Sequence, residues 1–390
     1  MKKYRKKFIL MFISFSLIFI TGLATTFAWI GIFTYANTDK FDINLKTVDY
    51  KSEYFLTISS TGKRDNYGDE VSIDDIRKQV LVNMGKDVSK LDTSEAIEYS
   101  YNNETKNLNP VTTYVNNDNS FSDFERLSVE SWDGHYDQQL EKFIPGMVSG
   151  KNQYLCFDLY LTVDTKEGIS SYSEINAPVF LTEFEDAIVG TIGSHMVLDN
   201  NFIKFDYSTN SHTEYLPFVP LLKSIPINQR IKVNAANAVR IGFEVYEPIP
   251  IDDEYNDTNK IAANYIYYGG KLTPSINNDV YDLGGILPTE FNTAVQELMN
   301  IRSYLHVEVP NSALSRKDKE LNYENSQIWE IADDLSSPNN YLGVHNGIQT
   351  KMRLRTYLWF EGWDADCLLG INEQNVIFNL AFTADHDENE

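Results

Sequence analysis

Apolar and polar residues alternate with a period of two in several separate stretches of this chain, most strongly in its middle and near its C-terminal end. Tyr154-Leu-Cys-Phe-Asp-Leu-Tyr-Leu-Thr-Val163 places Leu155, Phe157, Leu159, Leu161 and Val163 on one face and Tyr154, Cys156, Asp158, Tyr160 and Thr162 on the other. That pattern predicts a core strand. Ala238 to Tyr246 repeats it with Val239, Ile241, Phe243 and Val245 inward, and Met352–Phe360 and Asn375–Phe382 close the series. Phe41-Asp-Ile-Asn-Leu45 and Tyr54-Phe-Leu-Thr-Ile58 read as a first pair of strands. Pro178–Leu181, Phe202–Phe205 and Ile231–Val233 read as shorter ones.

The period changes between Ser72 and Gly85, where Ile73, Ile76, Val80 and Met84 fall on one helical face. Ser72 is the candidate N-cap, Asp75 lies in the first turn and Gly85 suits the stop. A second helix is expected from Thr289 to Met299, after Pro288, with Phe291, Val295 and Leu298 sharing a face. From Lys86 to about Gly150 the chain is rich in Asn, Asp and Ser and reads as irregular structure or an insertion. Pro248 to Gln349 is a second polar stretch with Gly-Gly turns. Short strands without regular strand–helix alternation argue for an all-β sandwich, antiparallel and jelly-roll-like, built from strands near 41–60, 152–246 and 351–384. The helices belong to insertions near 62–150 and 250–350, and the competing parse is two domains meeting near Gly150.

The N-terminus has a different pattern. Lys2, Lys3, Arg5, Lys6 and Lys7 precede a stretch without charge that runs to Asp39. A run of this length is an export signal, a membrane anchor, or one serving as the other, so residues 1–37 form a signal or signal-anchor segment. The most apolar part, Phe8 to Ile20, has the size of a signal-peptide core, and Thr26-Phe-Ala28 and Thr34-Tyr-Ala36 offer small residues for cleavage by a signal peptidase. Left uncut, residues 8–36 would span the membrane. The basic residues come first, so both cases put residues 38–390 outside the cytoplasm, extracellular or at the cell surface.

Charge narrows the partners. The chain holds 33 basic and 56 acidic residues, and setting aside the five at the N-terminus leaves 28 against 56. Such a surface disfavours nucleic acid, whose binding needs cations against phosphate, and stands off anionic lipid. Cys156 and Cys367 are the only cysteines, and they could form one disulfide, remain buried thiols or bind a metal.

Candidate chemistry is sparse. In Trp359-Phe-Glu-Gly-Trp-Asp-Ala-Asp-Cys367 the carboxylates of Glu361, Asp364 and Asp366 fall close together at a strand-to-turn transition, where oxygen ligands could gather Ca²⁺. A plain structural turn packed by Trp359 and Trp363 explains the same residues, and the aromatics of such a sheet could instead stack on sugar rings. Asp133-Gly-His-Tyr-Asp137 is either a metal loop or an ordinary polar one. His135, His195, His212, His306, His345 and His386 show no zinc-protease spacing, and no nucleophile elbow, P-loop or dinucleotide fingerprint is present. A non-enzymatic role is expected, with a hydrolase using an unrecognised carboxylate pair as the alternative.

Gly22-Leu-Ala-Thr-Thr-Phe-Ala-Trp-Ile30 and Phe33-Thr-Tyr-Ala-Asn-Thr-Asp39 resemble the signal region of substrates of the SipW-type signal peptidase of Gram-positive bacteria. Tyr154–Leu161, Asn237–Ile241 and Trp359–Cys367 resemble strands of surface proteins in the TasA and camelysin group. The resemblance covers about a third of the chain. It implies a jelly roll, export, and a place in extracellular matrix fibres through donation of an N-terminal strand, here Thr38 to Val48. The large insertions and the long continuous apolar segment depart from that pattern. Camelysin is described as a peptidase, and no motif here receives that activity.

Overall fold

A computed structural model of the chain describes residues 38–49, 53–106, 108, 111–127, 135–137, 142–144, 147–183, 187–190, 196–197, 203–206, 211–214, 230–232, 235–269, 275–277, 280–282, 318–331, 338–361 and 374–384. The N-terminal segment, the helix expected over 289–299 and the acidic tail lie outside these residues. Among the described residues, no helix is long and apolar enough to cross a membrane.

The main elements are β1 (Thr38–Thr47), β2 (Tyr54–Ser59), α1 (Ile73–Asn83), α2 (Ser94–Thr105), β3 (Leu155–Thr165), β4 (Val179–Thr182), β5 (Ile188–Gly190), β6 (Val239–Tyr246), β7 (Ile261–Tyr268), β8 (Lys319–Glu320), β9 (Gln327–Trp329), β10 (Ile348–Phe360) and β11 (Gln374–Thr383). They build two large sheets. The nine-stranded sheet runs β2-β3-β10-β6-β7-β8, and the short strands Glu174–Asn176, Ile249–Pro250 and Gly343–His345 extend it. The five-stranded sheet runs β1-β11-β4-β9, with β5 also on β11.

Strand alternation explains how the two sheets meet. Leu155, Phe157, Leu159, Leu161 and Val163 of β3 are fully buried, as are Val239, Ile241, Phe243 and Val245 of β6 and Met352, Leu354, Leu358 and Phe360 of β10. Phe41, Ile43 and Leu45 of β1 and Val376, Phe378, Leu380 and Phe382 of β11 face them across a single continuous core. Burying each such side chain contributes about 1.5–3 kcal/mol relative to exposure. Phe41 and Phe360 join the two sheets, with ring centroids 5.4 Å apart.

Several expectations need correction. The sheets are mixed rather than purely antiparallel: β1 runs parallel to β11, and β7 runs parallel to β8. Parallel neighbours need a long connection, and almost the whole domain lies between β1 and β11. β1 and β2 do not pair with each other; they belong to different sheets, because alternation fixes which face is buried but not which strand lies alongside. α1 forms where expected, yet Ser72 makes no side-chain cap bond and uses its carbonyl to accept from Asp75 and Ile76 instead. Within the stretch read as irregular, α2 is a helix capped by Thr93, whose hydroxyl accepts from the Ala96 amide at 3.2 Å. Ile97 and Tyr101 of α2 are buried. Inside the second polar stretch, β7 pairs with β6 from Arg240 to Tyr246 and is part of the main sheet.

Candidate functional site

The N-terminal strand lies in a groove whose contacts on every side can be traced to particular residues. Its register against β11 aligns Phe41 with Val376, Ile43 with Phe378 and Leu45 with Leu380. The inward residues Phe41, Ile43 and Leu45 enter the core, and the residues between them each meet a partner from another element. The Asn44 amide donates to Asn379 Oδ1 at 2.8 Å. Lys46 Nζ lies 2.6 Å from the Glu183 carboxylate, just beyond β4. Asp42 faces Arg77 of α1 at 3.7 Å. On the outer edge of β1, the Thr47 amide donates to the Asp69 carbonyl at 2.8 Å and the Val71 amide to the Leu45 carbonyl at 3.4 Å. Closing part of an edge in this way removes a row of free backbone groups.

Arg77 has an unusual setting for a helix arginine. Its side chain is only 9% exposed and lies 3.6 Å from Asp74 of its own helix, 3.7 Å from Asp42 and 3.7 Å from Glu98 of α2. Its guanidinium carbon sits 5.6 Å from the centre of the Tyr101 ring. Arg77 Nε and the buried Tyr101 hydroxyl have no hydrogen-bond partner among the described residues. Burial pushes the Tyr101 hydroxyl up, against the opposing pull of Arg77.

A second feature is the outward face of the nine-stranded sheet, which a strand pattern alone assigns to solvent. Glu244 of β6, Arg355 of β10 and Asp158 of β3 stand in one row across three strands. The Asp158 carboxylate accepts from Arg353 at 2.8 Å and from Arg355 Nε at 2.9 Å. Glu244 accepts from the Phe121 amide at 2.7 Å and from the Tyr357 hydroxyl at 3.1 Å. Burial raises both carboxylates above their ordinary range, and Arg355 opposes the rise at each. The segment carrying Phe121 and Phe124 crosses one end of this face and packs on Tyr154, Tyr357 and Trp359. Gly242 makes that crossing possible, since a Cβ there would lie 2.8 Å from the Phe121 ring and from Trp359. At the other end, the Arg353 guanidinium stacks over Tyr246 at 4.6 Å, and the Tyr246 hydroxyl is pushed up to about 12 by burial and the nearby Glu244. Arg355 and Asp158 are left half-buried between the two covered ends, and Tyr160, opposite Arg353, packs against Tyr255 with Lys351 over its ring.

Of the three residues singled out for calcium, Glu361 alone lies among the described residues. Glu361 is fully buried; its carboxylate accepts from Trp359 Nε1 at 3.1 Å and its amide donates to the Ala238 carbonyl. Asp364 and Asp366 lie outside the described residues. No group of three or more His, Cys, Asp or Glu residues among those described could hold a metal ion. Cys156 is a free buried thiol rather than half of a disulfide, and burial raises it far above the thiol range, so it is a poor nucleophile. His345 contacts Asn346 at 2.8 Å. Sequence reasoning missed Arg77, Asp158 and Glu244. The one available signal for Arg77 was its place three residues after Asp74 on a helix with an apolar face.

No protein-family model, no curated protein and no solved structure matches this chain.

Proposed function

We propose that the chain is a non-enzymatic, extracytoplasmic structural protein of a cell surface or biofilm-type matrix, a jelly-roll-like sandwich that assembles by passing its N-terminal strand to a neighbouring copy. The basic n-region, the apolar segment after it and the resemblance to SipW-type substrates support export. The observation that carries the assembly reading is β1 itself, which among the described residues is an edge strand of the five-stranded sheet, paired there with β11. Among the described residues β1 is the first element and is followed directly by β2, which belongs to the other sheet. Exchange between copies would replace each contact with an identical one, which makes swapping an inexpensive route to assembly.

Asn44 and Asn379 supply the test, because they lie opposite each other in the β1–β11 register. Cysteines at both positions, in a chain otherwise free of cysteine, would be joined by a short thiol cross-linker. Cross-linked ladders of two or more copies are expected, growing with concentration. Cross-linking confined to single chains at every concentration would exclude strand exchange.

A further inference from the structure

We infer that Tyr67–Val71 is an autoinhibitory strap, a segment that occupies the outer edges of β1 and β2 and so denies them to the same edge of a second copy of this chain. This goes beyond the strand-exchange reading, because it concerns copies that pair edge to edge while β1 stays on β11.

The strap bonds to both sheets within one short stretch. Gly68 exchanges two backbone hydrogen bonds with Ile58 of β2: the Ile58 amide donates to the Gly68 carbonyl at 2.8 Å, and the Gly68 amide donates to the Ile58 carbonyl at 3.0 Å. Asp69 and Val71 then turn to β1, where the Asp69 carbonyl accepts from the Thr47 amide and the Val71 amide donates to the Leu45 carbonyl. β2 ends the path of the nine-stranded sheet and β1 ends that of the five-stranded one, so a single segment covers an edge of each layer. Because it changes sheets midway, the strap stops both ladders and extends neither, whereas a longer strand would have offered a new edge of its own. Asp69 and Glu70 are exposed and put two carboxylates where a further strand would approach. Both ends of the strap are anchored. The Tyr67 hydroxyl is buried, and Val71 packs against the core.

Chain direction identifies the occupant that the strap excludes. Both of its contacts are antiparallel, Gly68 opposite Ile58 and Glu70 opposite Lys46. An edge strand and its copy across a two-fold axis perpendicular to the sheet also run antiparallel. A second copy therefore presents its chain in the direction these edges already accept. With the strap lifted, the backbone groups of Leu45, Thr47 and Ile58 that it now holds would be a template for such pairing.

The test keeps β1 in place. In a chain otherwise free of cysteine, Asn44→Cys is cross-linked to Asn379→Cys and the single-chain fraction is isolated, so strand exchange contributes nothing. If every chain cross-links only to itself, the exchange reading fails and this comparison is unchanged. Gly68→Pro and Val71→Pro are then made one at a time; the first removes the amide bonded to Ile58, the second the amide bonded to Leu45. A Cβ at Gly68 would meet nothing nearer than the Glu70 carbonyl at 3.8 Å, so that change acts on the hydrogen bond rather than on packing. In sedimentation velocity over a concentration series, both variants are expected to dimerise at about tenfold lower concentration than the cross-linked parent. Association no tighter than the parent's, with the amide protection of β3 and β10 intact, would overturn the strap. Where a proline variant loses that protection, the parent decides. Slow exchange of its Thr47 and Ile58 amides supports the strap, and exchange as fast as that of open-edge amides overturns it.

Discussion

Phe41 in the first described strand and Phe378 in the last stack with ring planes 7° apart and centroids 6.1 Å apart, so the two ends of the domain meet in one core. Phe41 also tilts against Phe360 of the opposite sheet, so its ring touches both layers. Replacing it with Ala removes a fully buried ring and leaves a cavity at a sheet edge. Phe41→Ala is expected to cost about 3–5 kcal/mol in urea denaturation. Because β1 is an edge strand, amide exchange should accelerate first along β1 and β11. Protection lost uniformly across both sheets would show instead that β1 does not open on its own.

Gly242 lies under Phe121 and Trp359, where a Cβ would meet ring atoms at 2.8 Å. Gly242→Ala therefore drives Phe121 off the sheet, and Phe121 carries the amide that donates to Glu244. A loss of about 1–3 kcal/mol follows from overpacking alone. The accompanying sign is a changed near-ultraviolet circular dichroism, since Phe121, Tyr357 and Trp359 share one aromatic cluster. An unchanged spectrum with unchanged stability would mean the segment is not seated on this face.

Gln79 of α1 completes the edge of β3 after β2 ends. β2 pairs with β3 only as far as Ser59 opposite Tyr160, and beyond that the Gln79 amide takes the partner's place. Its Oε1 accepts from the Asp158 amide at 2.8 Å and its Nε2 donates to the Asp158 carbonyl at 3.1 Å and the Ser60 carbonyl at 2.9 Å. Gln79→Leu should cost about 1–3 kcal/mol by leaving those backbone groups unpaired. Gln79→Glu should be worse at neutral pH, because it turns a carboxylate oxygen toward two carbonyls. Guanidinium melts of both variants would check the order.

The parts of the fold visible in the sequence were those with a clean period. β3, β6 and β11 could be read because their inward apolar residues recur at every second position, as in Leu155 through Val163, and β10 because Thr356 alone breaks the same set. β7 could not, because Ile261-Ala-Ala-Asn-Tyr-Ile-Tyr-Tyr268 has no alternation and owes its place to pairing with β6. α2 escaped notice because Ile97 and Tyr101 are nearly its whole apolar face amid Glu and Asn. The site was harder still. Arg240 and Glu244 alternate like solvent-facing residues and are buried only because other chain segments cover them, Asp318 pairing with Arg240 and the Phe121 segment lying on Glu244. Local pattern carries no information about such long-range cover.

Glu244 gives the sequence-invisible part of the site a pH signature. Its carboxyl is held above the ordinary range by burial, and the Phe121 amide and Tyr357 hydroxyl that bond to it only partly counter the effect. The folded state thus binds this proton more tightly than the unfolded chain. Stability from Glu244 is present in full below the ordinary glutamate range and declines as pH rises through the raised folded value, the reverse of a salt-bridged carboxylate. A glutamine in its place keeps the shape and cannot ionise, so Glu244→Gln should remove this slope. The expected result is that the melting temperature of the wild-type chain, taken relative to Glu244→Gln, falls on going from about pH 4 to pH 7. A wild-type chain that instead gained stability over the variant across that range would show that Arg355, one strand away, governs the charge of Glu244 more than its burial does.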